Sequence, residues 1–404
     1  MKKDLFLNLD FSQAALSAKE IAAAEAKVSG LEIPFFAKYT PDFDAMSEVA
    51  KKYQSKKNII VEGNGGSIST MRAFWNCFGN DTDKNVFLLD TDDPDFIADI
   101  KNRCQKDNTL LIVVNRSGNN IQTISGYLTL RDYETIFVTA NESALYKIGL
   151  KHNIPLYNTT TENPQMAGRF SGNTEFSLIP AAIAGINIKE ISKGASETYE
   201  KCAPNKPFSE NPALQFALAL DKLEKLGYTE LFLSIYSKKL YGFFELIIQL
   251  FHESVCKDGK GQTFYGGDAP ENQHHTLQRF NSGRKNSAGI FMTVENFKDN
   301  TDIKVPDDIK DIECRGVKLA ELEKLSMQDI IHTEFKGTWK DTTEQKIPAI
   351  NIKIDEVTPE NAGRLTAFLQ YVTYYSAVLR DVDPFNQPGV EKSKEYIFKL
   401  VAEK

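Results

Sequence analysis

Three places in this sequence hold polar residues that could do chemistry rather than merely face water. The first is Glu253, near the C-terminal end of Tyr241–Cys256, an apolar run containing Phe243, Leu246, Ile247, Leu250 and Phe251. A helix apolar nearly all round is expected to be buried, and Asp258-Gly259 supplies its stop signal. Burial and the negative end of the helix dipole both disfavour an ionised carboxylate. That environment suits a general base working near neutral pH. The opposing reading is an ordinary surface glutamate paired with Lys257 at i+4. The second place is the loop from Tyr265 to His275, rich in turn formers and carrying His274 and His275, two of only five histidines. Adjacent loop histidines serve as ligands, as acid–base groups or as neither. No third and fourth ligand stand at metal spacing, so the expectation is no metal, and acid–base work for one of the pair. The third is Arg169, among small residues just ahead of an apolar helix over Thr174–Ala184. Its near neighbours in sequence offer only Glu162 and Glu175 as partners. An interdomain salt bridge and a substrate contact are equally open.

Two further segments have the form strand, glycine-containing loop, helix start. Asn58–Val61 runs into Glu62-Gly63-Asn64-Gly65-Gly66-Ser67, and Thr109–Val114 runs into Asn115-Arg116-Ser117-Gly118-Asn119-Asn120. Such a turn aims backbone N–H groups and the positive end of a helix at one point, which suits a phosphate. The second loop adds a guanidinium, a hydroxyl and two amides. A rival reading takes Gly63-Asn64-Gly65 with Asp90 as a dinucleotide fingerprint, but Ile68 stands where its third glycine belongs. The plain alternative is a pair of tight turns.

The elements that must position these residues follow from the pattern along the chain. Residues 1–50 read as an N-terminal helical segment, with the Ala-rich stretch 15–28 and breaks at Pro34 and Pro41. Short β-branched runs then alternate with helical stretches: Asn58–Val61, Val86–Leu89, Thr109–Val114 and Thr135–Thr139. After a proline-rich stretch, Gly194–Pro212, taken as the crossing between domains, a second set follows at Glu230–Tyr236, Gln262–Tyr265, Gly289–Val294 and Ile347–Ile354. Alternation of this kind predicts an α/β chain with two doubly wound parallel sheets. The expected division is 1–50, then a first α/β domain over 51–200, then a second over 201–404 closed by C-terminal helices. Hydrophobic residues at 41% and charged residues at 25% are average for a globular chain, which rules out the disordered class. No apolar run reaches the ~18 residues a membrane span needs. Neither a secretory signal nor a paired cysteine framework is legible in the five scattered cysteines, so a cytoplasmic location is expected. A net charge of −7 argues against a nucleic-acid partner but not against a small anion in a locally basic cleft.

Six stretches in order, EGNGGSIS, NRSGNNIQT, AGRFS, HESVCK, ENQHHTLQ and FNQPGVEKSK, resemble the glucose-6-phosphate isomerase family and its two sugar-isomerase (SIS-type) domains. The resemblance runs from about Gly63 to Lys394, and Phe385, Gln387, Gly389, Val390, Glu391 and Lys394 fall at the family's signature spacing. It implies that Glu253 moves a proton between C1 and C2 of a sugar phosphate and that Arg169 stabilises the cis-enediolate. His274 and Lys394 would assist ring opening, with His274 donated by the neighbouring subunit of a homodimer. Gly66, Ser67 and Gln387 would contact the sugar, and Arg116, Ser117 and Asn120 the phosphate, with no cofactor. The chain departs from the family at Asn115 and Asn120, where hydroxyl residues are usual, at Cys256, where glycine is usual, and at Asn386, where aspartate is usual. His275 has no family role and is assigned to packing. Two other readings stay open on the same residues: an isomerase that also accepts mannose 6-phosphate, and a non-catalytic sugar-phosphate sensor.

Overall fold

The computed structural model of the chain describes residues 8–9, 15–157 and 163–404. The helices expected over residues 1–7 and 10–14, and Glu162 as a neighbour of Arg169, lie outside the described residues. Asn8–Leu9 is a strand, β1, where helix was expected; it pairs antiparallel with Ile352 and Lys353. Helix α1 (Ala18–Val28) opens on a capping box in which Ser17 and Glu20 satisfy each other's backbone N–H groups. It is followed by α2 (Phe35–Lys38) and α3 (Phe43–Lys52).

The first alternating set then forms: β2 (Asn58–Glu62), α4 (Ser69–Phe78), β3 (Asn85–Leu89), α5 (Pro94–Arg103), β4 (Thr109–Asn115), α6 (Ile121–Leu130), β5 (Glu134–Thr139), α7 (Ala144–His152) and β6 (Leu156–Tyr157). All five strands are parallel in the order β3-β2-β4-β5-β6. From β2 the chain passes outward to β3 and then back across to β4, so the winding reverses between β2 and β4. In a sheet of this kind the crevice at the carboxyl ends of the strands, at the reversal, is where ligands sit. The two glycine-containing loops leave β2 and β4 there.

The chain continues through α8 (Glu175–Ile183), α9 (Ile188–Lys201), α10 (Pro212–Lys225), β7 (Glu230–Tyr236), α11 (Phe243–Val255), β8 (Thr263–Asp268), α12 (Thr276–Ser282) and β9 (Ser287–Asn296). A short hairpin, β10 (Glu313–Cys314) with β11 (Val317–Lys318), precedes α13 (Met327–Glu344), β12 (Ala349–Glu356), α14 (Pro359–Leu379) and α15 (Glu391–Ala402). The second sheet runs β1-β12-β9-β7-β8, parallel except for β1. The chain is therefore α/β with two parallel sheets wound by helices, the architecture that the alternation predicts.

Two compact units result, and neither is one continuous stretch. The larger holds Ser17–Asp221, Gly242–Gly261 and Pro359–Lys404; the smaller holds β1, Lys222–Tyr241 and Gln262–Thr358. This differs from a linear division at residue 200. The stretch Gly194–Pro212 is not a crossing, since its first eight residues finish α9, and the passage between units falls inside α10. The physical reason lies in Gly194, which reads as a flexible residue but is a packing residue. A methyl group there would come within 1.9 Å of the Glu360 carbonyl, and one on Gly363 within 1.8 Å of the Ile191 carbonyl. Helices α9 and α14 thus cross with their backbones nearly touching. Among the described residues no helix is long and apolar enough to cross a membrane.

Substituting Gly363→Ala is expected to destabilise the larger unit by about 1–3 kcal/mol, because two helix backbones must separate. Denaturant unfolding measures this, and an unchanged midpoint would mean that the crossing is loose.

Candidate active site

Helix α11 is less uniformly apolar than its sequence suggests. Phe243, Leu246, Ile247, Leu250 and Phe251 are buried, but Glu245, Gln249 and Glu253 recur at i, i+4 and i+8 and form one polar stripe. Along it Glu245 pairs with Arg72 of α4, Gln249 accepts from Ser69 Oγ at 2.6 Å, and Gln249 Nε2 donates to Glu253 Oε1 at 3.0 Å. Glu253 is the end of that stripe, and its side chain is 29% exposed. The expectation of a carboxyl sunk in apolar surroundings is corrected: donors surround Glu253, taking the place that water would occupy.

The chief donor is Arg169, whose side chain is 2% exposed. Nη1 donates to Glu253 Oε2 at 3.0 Å, Nε to Ser254 Oγ at 2.5 Å, and Nη2 to the carbonyls of Pro384 and Asn386 at 2.7 and 3.0 Å. Burial lowers the guanidinium's pKa from its ordinary value, and Glu253 opposes the shift. An arginine remains charged under such conditions. The partner of Arg169 is therefore not Glu175, which accepts from Tyr39 at 2.6 Å. Lys257 does not pair with Glu253; it donates to the Asp383 carbonyl.

The loop after β2 is pressed against the same arginine. A methyl group on Gly66 would stand 2.2 Å from the Arg169 nitrogen and the Gly168 carbonyl carbon, so only glycine lets the two backbones meet. Ser67 beside it is 6% exposed. The loop after β4 is built partly to hold itself. Asn115 accepts from Gly118 N at 2.8 Å and Ser117 Oγ at 3.0 Å and donates to Thr123 at 2.9 Å, so it shapes the loop. Asn120 caps α6 by accepting from Gln122 N at 2.9 Å. Arg116 donates to the Asn163 carbonyl at 3.2 Å, while its buried Nε has no acceptor. Its charge also bears on Arg169, so two guanidinium groups share one region.

The turn between α14 and α15 completes the group. Phe385 packs edge-on against Phe170, with ring centroids 5.3 Å apart. With its amide oriented to match both neighbours, Gln387 donates to Glu253 Oε2 at 2.9 Å and accepts from Lys394 Nζ at 3.2 Å. Lys394 also pairs with Glu391 at 2.8 Å. The larger unit thus brings Glu253, Arg169, Gln387 and Lys394 into one hydrogen-bonded chain, with Gly66 packed against it. His274 belongs to the smaller unit and is exposed; His275 is exposed too, bonded to the Thr276 hydroxyl rather than packed. Two departures from the family pattern have little structural consequence. Cys256 has φ −77°, which any residue adopts, and Asn386 serves through its backbone carbonyl. Gln249 and Ser254 were missed in the sequence. The first had a signal, one helical turn before Glu253; the second had none beyond adjacency. Among the described residues no cluster of His, Cys, Asp or Glu is arranged to hold a metal.

No family model matches the chain. It is 28% identical over 385 residues to a glucose-6-phosphate isomerase of Clostridium perfringens, across 89% of this chain and 83% of that protein. It is 26% identical over 373 residues to the glucose-6-phosphate isomerase of Methanocaldococcus jannaschii, across 89% and 88%. Among solved structures, a hypothetical protein from Thermus thermophilus matches the fold with a TM-score of 0.86 at 21% identity, covering 98% of this chain and 100% of that one. Along nearly nine-tenths of its length the chain is thus similar to glucose-6-phosphate isomerases of archaea and bacteria, and the motif residues of its larger unit converge on one arginine.

Proposed function

We propose that this protein interconverts glucose 6-phosphate and fructose 6-phosphate through a cis-enediolate, in glycolysis and gluconeogenesis in the cytoplasm. The observation that carries the reading is the contact of 3.0 Å between the Glu253 carboxylate and the buried Arg169 guanidinium. Breaking a C–H bond beside a carbonyl requires a base, and a fixed positive charge where the oxyanion develops. Glu253 takes the C2 proton of the open-chain aldose, and the C–H electron pair becomes the C1–C2 double bond. The negative charge on the oxygens falls to Arg169. The hydroxyl proton passes from O2 to O1, and Glu253 returns its proton to C1, leaving the C2 ketone. Lys394 assists ring opening, and its bond through Gln387 to Glu253 supports that reading. His274 shares that task, from the partner subunit of a homodimer.

Phosphate binding falls to Arg116, Ser117 and Asn120, and sugar contacts to Gly66, Ser67 and Gln387. The buried Nε–H of Arg116 without an acceptor supports an anion here, in a chain whose net charge is otherwise −7. A dimer is supported by α15, which exposes Tyr396, Ile397, Phe398, Leu400 and Val401.

Glu253→Gln is expected to lower isomerisation by roughly 10²–10⁴ while keeping fructose 6-phosphate binding, as followed by a coupled assay and calorimetry. Turnover close to the parent's would remove Glu253 as the base. Loss of neither activity nor binding because the parent itself never turns over would favour a sensor. Arg116→Ala is expected to raise KM by about tenfold with kcat within about twofold; an unchanged KM would move the phosphate elsewhere. Equal turnover of mannose 6-phosphate and glucose 6-phosphate would broaden the substrate assignment.

A further inference from the structure

The carboxyl of Glu62 has no part in the reaction just described, yet its setting is unusual for an acid. It ends β2 with 3% exposure, on the strand face where Ile60 joins Leu89, Ile97, Val113 and Tyr127 in an apolar cluster. One edge lies against α6 at Gly126, where a methyl group would stand 2.1 Å from Oε1. Oε2 is buried without a hydrogen-bond partner, and Tyr127 N–H is the backbone donor near the group. The charge that bears on it is that of Asp92; Arg103 of α5 stacks on the Phe87 ring of β3, and Arg131, just past α6, bears on Tyr127. Asp92, after β3, is an acid; Tyr127, raised by burial, is neutral; β3, β4 and the rest of α6 have no titratable residue. Asp95, Asp99, Lys101 and Arg103 of α5 are exposed. Burial first, then Asp92, push the Glu62 carboxyl up to about 9, so at neutral pH it is an uncharged acid.

Helix α6 starts at the loop after β4, and its first turn is laced to the neighbouring loops. Thr123 accepts from Asn115 and donates to Asn64 Oδ1 at 3.0 Å; Gln122 and Asn64 both donate to the Asp90 carbonyl, at 3.0 and 3.2 Å. Gly126 lies one turn further along, on the same side as Thr123. The seat of Glu62 is therefore the next point at which this helix meets β2.

We propose that Glu62 is a positioning residue: seated against Gly126, it sets how closely α6 lies on β2 and hence the spacing between the loops 63–67 and 115–120. The inference rests on the reading that these loops hold the sugar and the phosphate of one substrate. Ionisation would place an unpaired charge in the cluster, drive α6 outward and loosen both loops together.

The test compares the parent with Glu62→Gln, which keeps the shape and cannot ionise, from about pH 5 to pH 10. The Kd for fructose 6-phosphate is measured by calorimetry, with unfolding midpoints and hydrogen exchange of residues 120–127 in the unliganded protein. The unfolded glutamate ionises near 4.5 and the folded one near 9, so the parent loses stability as pH rises through that window. Glu62→Gln has no such loss, and its advantage should grow from about pH 5 to pH 9. Above pH 9 the parent's Kd should rise by about tenfold per pH unit at most, with faster exchange in α6, while the variant's stays level. Gly126→Ala should weaken binding several-fold at neutral pH with kcat nearly unchanged, and Glu62→Ala with Gly126→Ala should restore it. An equal alkaline loss of affinity in parent and Glu62→Gln would overturn the proposal, even if the variant is more stable. If fructose 6-phosphate binds to neither protein but α6 exchange still follows Glu62, the substrate reading fails and the anchor stands. If exchange is also unaffected, the anchor fails as well.

Discussion

A guanidinium taken out of water needs an acceptor for nearly every N–H it carries, and the candidate site is organised by how Arg169 meets that need. Its acceptors come from chain segments far apart in sequence: Glu253 and Ser254 on α11, and the carbonyls of Pro384 and Asn386 in the turn before α15. The fork of a guanidinium is planar and rigid, so satisfying it fixes directions as well as distances. One side chain therefore aims the carboxylate, holds the C-terminal turn and presents a positive charge beside both. Gly66 extends the same logic to the backbone, because without a side chain the loop after β2 can rest directly on residues 168 and 169.

The loop after β4 is arranged on a different principle. Its amides do two jobs: Asn115 is spent inside the loop as a scaffold, and Asn120 closes the first turn of α6. What remains unsatisfied is the buried Nε–H of Arg116. The loop's shape is thus set before any ligand arrives, which reduces the ordering cost of binding.

Much of this was legible in the chain. The β-branched runs mark eight of the strands to within a few residues, because a strand buried on both faces cannot avoid a continuous apolar signature. Glu253 stood out because a carboxylate near the end of an apolar helix is anomalous in one dimension, although in three it proves to end a polar stripe and to be ringed by donors. Other features left weak traces. Strand β1 has two residues, too few for any period to register. Gly194 sat in a proline-rich neighbourhood and resembled a linker, although its role is to let α9 and α14 touch. Glu245, Gln249 and Glu253 were spaced as a stripe, but a stripe acquires meaning only from the helix that faces it.

Sequence by itself determined the alternation that makes two parallel sheets, the turns at which loops leave them, and the motif residues that carry the resemblance to glucose-6-phosphate isomerases. Those are properties of neighbours along the chain: period, propensity and spacing. Which groups meet was decided by tertiary structure alone. The pairing of Arg169 with Glu253 spans 84 residues and its bond to the Asn386 carbonyl 217. Nothing in the local pattern distinguished that arginine from one bound to a nearer acid, nor Glu62 from an ordinary strand-end glutamate. Burial settles such choices, because a polar group removed from water is constrained by every atom around it, and those atoms are assembled only when the chain folds.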